Sequence, residues 1–108
     1  MDELHARRVA LNEARFRAAN ERTRRGVDDL YEGEAPSYSM LCECAVTECQ
    51  DTVVIDHEHY MRARAKPTTF FVKPDHVMIG AEVVVERSEH FWFVEKIAAG
   101  AQVARDLA

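Results

Sequence analysis

The chain has 108 residues, of which 47% are hydrophobic and 31% charged, a size and balance that fit one soluble domain. It contains no apolar run of roughly 18 residues, so no membrane-spanning helix is expected, and MDELHARRVALNEARF at its start lacks the apolar stretch of a secretory signal. The net charge of −5 is unevenly spread: residues 1–25 carry seven Arg against four acids, and the remainder carries seven basic residues against fifteen acids.

In chain order, residues 3–25 predict one long helix. The segment has no Gly or Pro and is rich in Ala, Arg, Glu and Leu. Val9, Phe16, Thr23 and Leu30 lie seven apart, with Leu4, Ala19 and Val27 beside them, a stripe thin in large side chains. Glu13–Arg17 and Glu21–Arg25 are spaced as i,i+4 ion pairs, and Gly26 reads as the stop. Residues 28–39 read as a loop, with Gly33 and Pro36 as breakers. A short strand enters at Tyr38, and DTVVI (51–55) is a second strand. Asp56 is placed to cap a short helix, HEHYMRARA, that ends before Pro67. TTFFV (68–72) is a third strand closed by KPDH, and EVVVER and HFWFVEK form a hairpin joined at Ser88-Glu89. The tail, IAAGAQVARDLA, reads as a turn and a frayed helix. The expected fold is α+β, a single domain in which a helical arm (1–27) precedes a compact body (38–108) around a small antiparallel sheet.

LCECAVTECQ holds all three cysteines, spaced C-x-C-x4-C. Three is an odd number for a disulfide framework, and clustered thiols in a reducing compartment point to metal or redox chemistry. Zinc takes four nitrogen or sulfur ligands at tetrahedral corners, so one ligand is missing from this stretch. The candidates are His5, His57, His59, His76 and His90, with Asp51 and Asp75 as weaker oxygen donors. His76 is the choice, because KPDH is a loop that can present an imidazole without a place in the core, and Pro74 fixes its approach. The expected ligand set is therefore Cys42, Cys44, Cys49 and His76 around one Zn2+. The competing reading, three buried small hydrophobes, fits less well with Glu43, Glu48 and Gln50 beside the thiols. An Fe–S cluster is a lesser alternative, since the spacing does not match the ferredoxin patterns.

The runs CECAVTEC, HEHYMRARAKPTTFFVKPDH, VVVER and FWFVEK resemble a group of small, largely uncharacterised bacterial proteins. Their pattern is C-E-C-x4-C, an acidic cap, E/H-Y-x-x-x-R, Pro, Phe and Pro-x-His. An N-terminal helix with an N-E-x-x-F-R-x-x-N-E-R-like run often precedes it, matched here by NEARFRAANER. The similarity covers roughly residues 12–96. It implies Cys42, Cys44, Cys49 and His76 as one zinc-binding set. PDH stands where the group has Pro-Gly-His.

The functional expectation is a non-catalytic, cytoplasmic interaction or regulatory module with a structural zinc. Its arm would engage a partner protein or a second copy through Phe16, Arg17, Asn20 and Arg24. One alternative is a nucleic-acid-binding regulator using Arg7, Arg8, Arg15, Arg17, Arg22, Arg24 and Arg25 on phosphates, opposed by Glu13, Glu21 and the acidic body. Another is a zinc–thiolate redox switch. Enzymatic readings rank last: a catalytic zinc needs an open position, and nothing in the spacing of Glu43 or Glu48 demands a general base. HEHYMRAR is not the H-E-x-x-H of metalloproteases, and its Tyr60 and Met61 are expected to pack.

Overall fold

The computed structural model describes residues 2–44, 46 and 48–107. Helix α1 spans Glu3–Tyr31, opened by Asp2, whose carboxylate accepts the His5 amide at 2.8 Å. The expected stop at Gly26 is overturned: the helix runs on and closes at Glu32, whose φ of 57° is left-handed, with Gly33 N–H donating to Asp28 O at 3.0 Å. Tertiary anchors carry the helix past the glycine. Arg24 bridges Glu21 (2.6 Å) and Asp28 (2.8 Å), and Asp28 in turn accepts the Ala35 amide and the Tyr38 hydroxyl, both at 2.8 Å.

Strands β1 (Ser37–Leu41) and β2 (Thr52–Asp56) pair antiparallel, with Ser37 opposite Asp56. Helix α2 (His57–Arg64) follows at once, capped by Asp56 as its sequence predicts. Strands β3 (Thr69–Val72), β4 (Glu82–Arg87) and β5 (Trp92–Lys96) form a second antiparallel sheet in the order β3-β5-β4. The hairpin connection is longer than the expected Ser88-Glu89: Ser88 N–H donates to Phe91 O at 2.9 Å, and β5 begins at Trp92.

Strand β3 is buried at every position, because both faces of its sheet are covered. Adjacent side chains of a strand point to opposite faces. Phe71 and Phe93 meet Tyr38, Met40, Ile55 and Tyr60 from β1, β2 and α2. Phe70 and Val94 meet Ala104 of helix α3 (Ala98–Asp106), together with Cys42 and Cys44. Helix α3 corrects the expectation of a frayed tail. Its buried Gly100 lies so close to α1 that an added Cβ would sit 3.7 Å from the Ala10 Cβ and the Ala6 carbonyl. Small residues let the two helices approach, and they mark the buried face of α3 with few large side chains. Met61, expected to pack, is exposed; Tyr60 alone turns inward. No helix is long and apolar enough to cross a membrane among the described residues.

The α1–sheet contact is ionic at its centre. The Lys96 ammonium lies between the carboxylates of Glu13 and Glu82, with all three side chains fully buried. The expected Glu13–Arg17 pair is thus not formed. Glu82 also accepts the Met78 amide at 2.8 Å, while Glu13 Oε2 has no partner. Burial pushes the Glu82 carboxyl up and the Lys96 amine down, both toward neutrality. Removing the one cation from two buried carboxylates is the costly change. Lys96→Met is expected to lose about 3–5 kcal/mol of unfolding free energy, and Glu13→Gln, which removes the surplus anion, distinctly less. Urea denaturation of both variants checks the order; equal losses would contradict it.

Candidate metal centre

The metal-ligand stretch lies where the chain passes from one sheet to the other. Cys42 N–H donates to Asp51 O at 3.0 Å, extending the β1–β2 ladder, and Glu43 N–H donates to Phe71 O at 3.0 Å, on β3. Extended backbone there points Cys42 and Cys44 to one side and Glu43 to the other. A turn closed by Cys49 N–H on Val46 O (3.0 Å) returns the third cysteine. The fourth side chain arrives after β3, where His76 N–H donates to Lys73 O at 3.0 Å. Within that turn Pro74 precedes Asp75 at φ 73°, a left-handed position that glycine takes most easily and Asp tolerates. The Asp in PDH therefore holds the place that Pro-Gly-His would give to glycine.

One ligand atom from each of Cys42, Cys44, Cys49 and His76 lies within 4.8 Å of all the others. His76 Nδ1 is 3.5 Å from Cys42 Sγ and 3.7 Å from Cys49 Sγ. A tetrahedron with Zn–S of about 2.3 Å and Zn–N of about 2.0–2.1 Å has S···N edges of about 3.6 Å. The two edges from His76 thus stand at a metal's spacing, and Cys44 completes the group within 4.8 Å. Around them, Lys73 N–H donates to Cys42 Sγ at 3.1 Å, and the Cys44 and Val46 amides bond to Cys42 and Cys44. Burial pushes both buried thiols up and keeps them protonated, opposed by these amides; a bound dication reverses the balance and displaces the protons. Asp51 lies outside the tetrahedron, its carboxylate 3.6 Å from His76 Nε2 and 3.4 Å from Lys73 Nζ. A carboxylate there favours the proton on Nε2 and leaves Nδ1 free to bind metal.

The other candidates are elsewhere. His57 Nδ1 is 2.7 Å from the Tyr38 hydroxyl, His59 Nδ1 is 2.6 Å from Asp56, and His5 and His90 are exposed. Asp75 serves the turn.

Three important residues are not ligands. Glu43 is fully buried; its Oε1 accepts the Phe71 amide and Arg64 Nη1, both at 3.2 Å, and its Oε2 accepts Asn20 Nδ2 (2.9 Å) and Arg64 Nη2. Its carboxylate is spent on the face away from the thiols, which removes it as a candidate base beside a metal. Asn20 also closes both backbone groups of Leu41, at 2.9 Å each, beside Cys42. Arg64 lies over the rings of Tyr60 (4.8 Å) and Phe71 (4.9 Å). The signal for Glu43 was in the C-E-C alternation itself: a residue between two inward ligands faces the opposite layer.

The proposed partner-binding set is placed differently from its expectation. Asn20 is buried inside the chain, a correction to its reading as a surface contact. Arg17 donates to Pro67 O at 2.5 Å and lies 5.2 Å from the Phe70 ring centre, Arg24 is held by Glu21 and Asp28, and Phe16 is half-buried. The FWF triplet is likewise occupied. Phe91 and Phe93 lie in the core, and Arg87 sits 4.8 Å over Trp92. No family model, no curated protein and no solved structure matches this chain.

Glu43→Ala is expected to cost about 3–5 kcal/mol, the loss typical of a buried pair broken at one partner. Glu48→Ala, at an exposed position one residue before Cys49, should change stability by no more than about 0.5 kcal/mol. Thermal unfolding of the two variants distinguishes a structural Glu43 from a charge that merely sits near the thiols.

Proposed function

We propose that the protein binds one Zn2+ through Cys42, Cys44, Cys49 and His76, and that the ion is structural rather than catalytic. The observation that carries this reading is the convergence of four nitrogen and sulfur donors within 4.8 Å of one another, with His76 Nδ1 3.5 Å from Cys42 Sγ and 3.7 Å from Cys49 Sγ. Four protein ligands leave no position for substrate or water, and thiolate-rich donor sets favour zinc over harder dications. The ion ties the junction after β1 to the turn after β3. In a body this small, such a tie contributes on the order of 10 kcal/mol. The compartment that goes with this reading is the cytoplasm, where clustered thiols are kept reduced and able to bind metal.

The proposed role is a non-catalytic interaction module, and the outer face of α1 is its contact surface. Leu4 and Leu11 are exposed there, with Arg8, Arg15 and Arg22 exposed along the same face at heptad spacing. No carboxylate pairs with those three arginines among the described residues, in contrast to Arg7, Arg24 and Arg25. An apolar and cationic face fits an acidic protein partner; the same row is what would meet phosphates in the nucleic-acid reading, and a salt-sensitive gel shift would favour that reading instead.

Elemental analysis of untagged protein prepared without chelators tests the metal. One zinc per chain is expected, with at least a tenfold weaker affinity in His76→Ala, in line with loss of one of four ligands. Wild-type protein that carries no zinc and takes none up would overturn the proposal.

A second reading, redox release of the metal, has its own observation: Cys42 and Cys44 are buried, whereas Cys49 is half-exposed and is the thiol that an oxidant reaches first. Peroxide treatment should then oxidise Cys49 before the others and release zinc in step. Retention of zinc with Cys49 oxidised would exclude it.

A further inference from the structure

A pocket of about 420 Å3 lies between α1, β3 and the end of α3, apart from the metal centre. Its walls include Ala18, Phe70 and Leu107, and its charged residues are Arg17, Glu21 and Arg64. Two of those three charges are already met. Arg64 is neutralised by Glu43. Glu21 is held by Arg24 at 2.6 Å and by the Tyr60 hydroxyl at 2.5 Å.

Arg17 is the exception. It donates only to backbone carbonyls, Pro67 O at 2.5 Å and Lys66 O at 3.4 Å, and no carboxylate lies within ion-pair distance of it among the described residues. Glu13, the acid one turn before it, is taken by Lys96. Two of its five N–H groups are therefore used, and it has no direct ion pair, the carboxylates of Glu43 and Glu21 acting on it only from beyond that distance. Burial, followed by the like charge of Arg64, holds its guanidinium below the usual value. Arg64 Nε is also buried without a partner. A part-buried cation beside apolar walls is electrostatically incomplete in a way that a single negative charge would correct.

We propose that this pocket binds a small amphipathic monocarboxylate, its carboxylate on Arg17 and its chain against Phe70, Ala18 and Leu107. One cation without a direct ion pair matches one carboxylate. Inorganic phosphate would leave the apolar walls uncovered, and a neutral amphiphile would leave Arg17 unmatched. The proposal does not depend on zinc or on a protein partner.

Octanoate titrated into the metal-loaded full chain, followed by amide NMR shifts, tests the site. Saturable one-site binding is expected, with shifts clustered at Ala14, Ala18 and Ala104. Affinity should rise about fourfold per methylene from butanoate to octanoate, the equivalent of ~0.8 kcal/mol per buried CH2. Arg17→Met should weaken binding at least about tenfold, as expected for loss of a charged hydrogen bond. Ala18→Phe, which fills the pocket from an exposed helix position and leaves Arg17 in place, should weaken it too, and decides the matter if Arg17→Met does not fold. No saturable shift by about 10 mM octanoate, undiminished binding by both variants, or equal binding of octan-1-ol or inorganic phosphate at this site would overturn the proposal.

Discussion

The carboxylate of Glu43 is the contact on which the rest of the structure depends. It is buried among Arg64 of α2, Asn20 of α1 and the Phe71 amide of β3, and its own backbone continues the path out of β1. Two small sheets that share no ladder are joined through one acid. A charge in that position is stable only because each oxygen has two donors, so the arrangement is all-or-none. The residues on either side of it inherit their direction: with Glu43 fixed toward the helices, Cys42 and Cys44 face the opposite side, where His76 meets them.

The molecule thus relies on polar contacts where many small domains rely on oil. Helix α1 meets the body through Glu13–Lys96–Glu82, through Asn20 on Leu41, and through Arg17 on Pro67. Apolar contributions to that contact come from small residues, Ala6, Val9 and Ala10. Such contacts specify one seating of the helix more strictly than a leucine stripe would, because a one-turn slip orphans several buried charges at once.

That choice of chemistry also explains what could be read from the sequence. The strands were legible in β-branched and aromatic runs, α2 in its Asp56 cap, and the ligand set in three clustered thiols and a histidine in a proline-broken turn. Local signals of this kind survive in one dimension. The end of α1 was not legible, because Gly26 marks a stop on propensity while Arg24 and Asp28 bridge it within the helix and Ala35 and Tyr38 anchor Asp28 from beyond its end. Helix α3 was read as frayed because its buried face is built mainly of small residues, Gly100, Ala101 and Ala104, whose burial is secured by close approach to α1 and not by large side chains. Asn20, Arg17 and Glu43 looked like surface groups because a polar residue announces burial only through partners distant in sequence. Glu43 and Phe71 are 28 positions apart, and Glu13 and Lys96 are 83.

The Asn20–Leu41 clamp has a consequence for anything that binds α1. Leu41 is the residue before the first metal ligand, and both of its backbone groups are held by the helix. Seating of α1 and ordering of the thiol loop are therefore one linked equilibrium. By reciprocity, a partner that favoured the seated helix would tighten the hold on an ion at the thiol corner by the same factor that the ion would tighten the partner's own binding. A partner that lifts the helix away loosens the metal to the same degree. The helix face and the metal corner, on different elements of the fold, are in this sense two handles on a single variable.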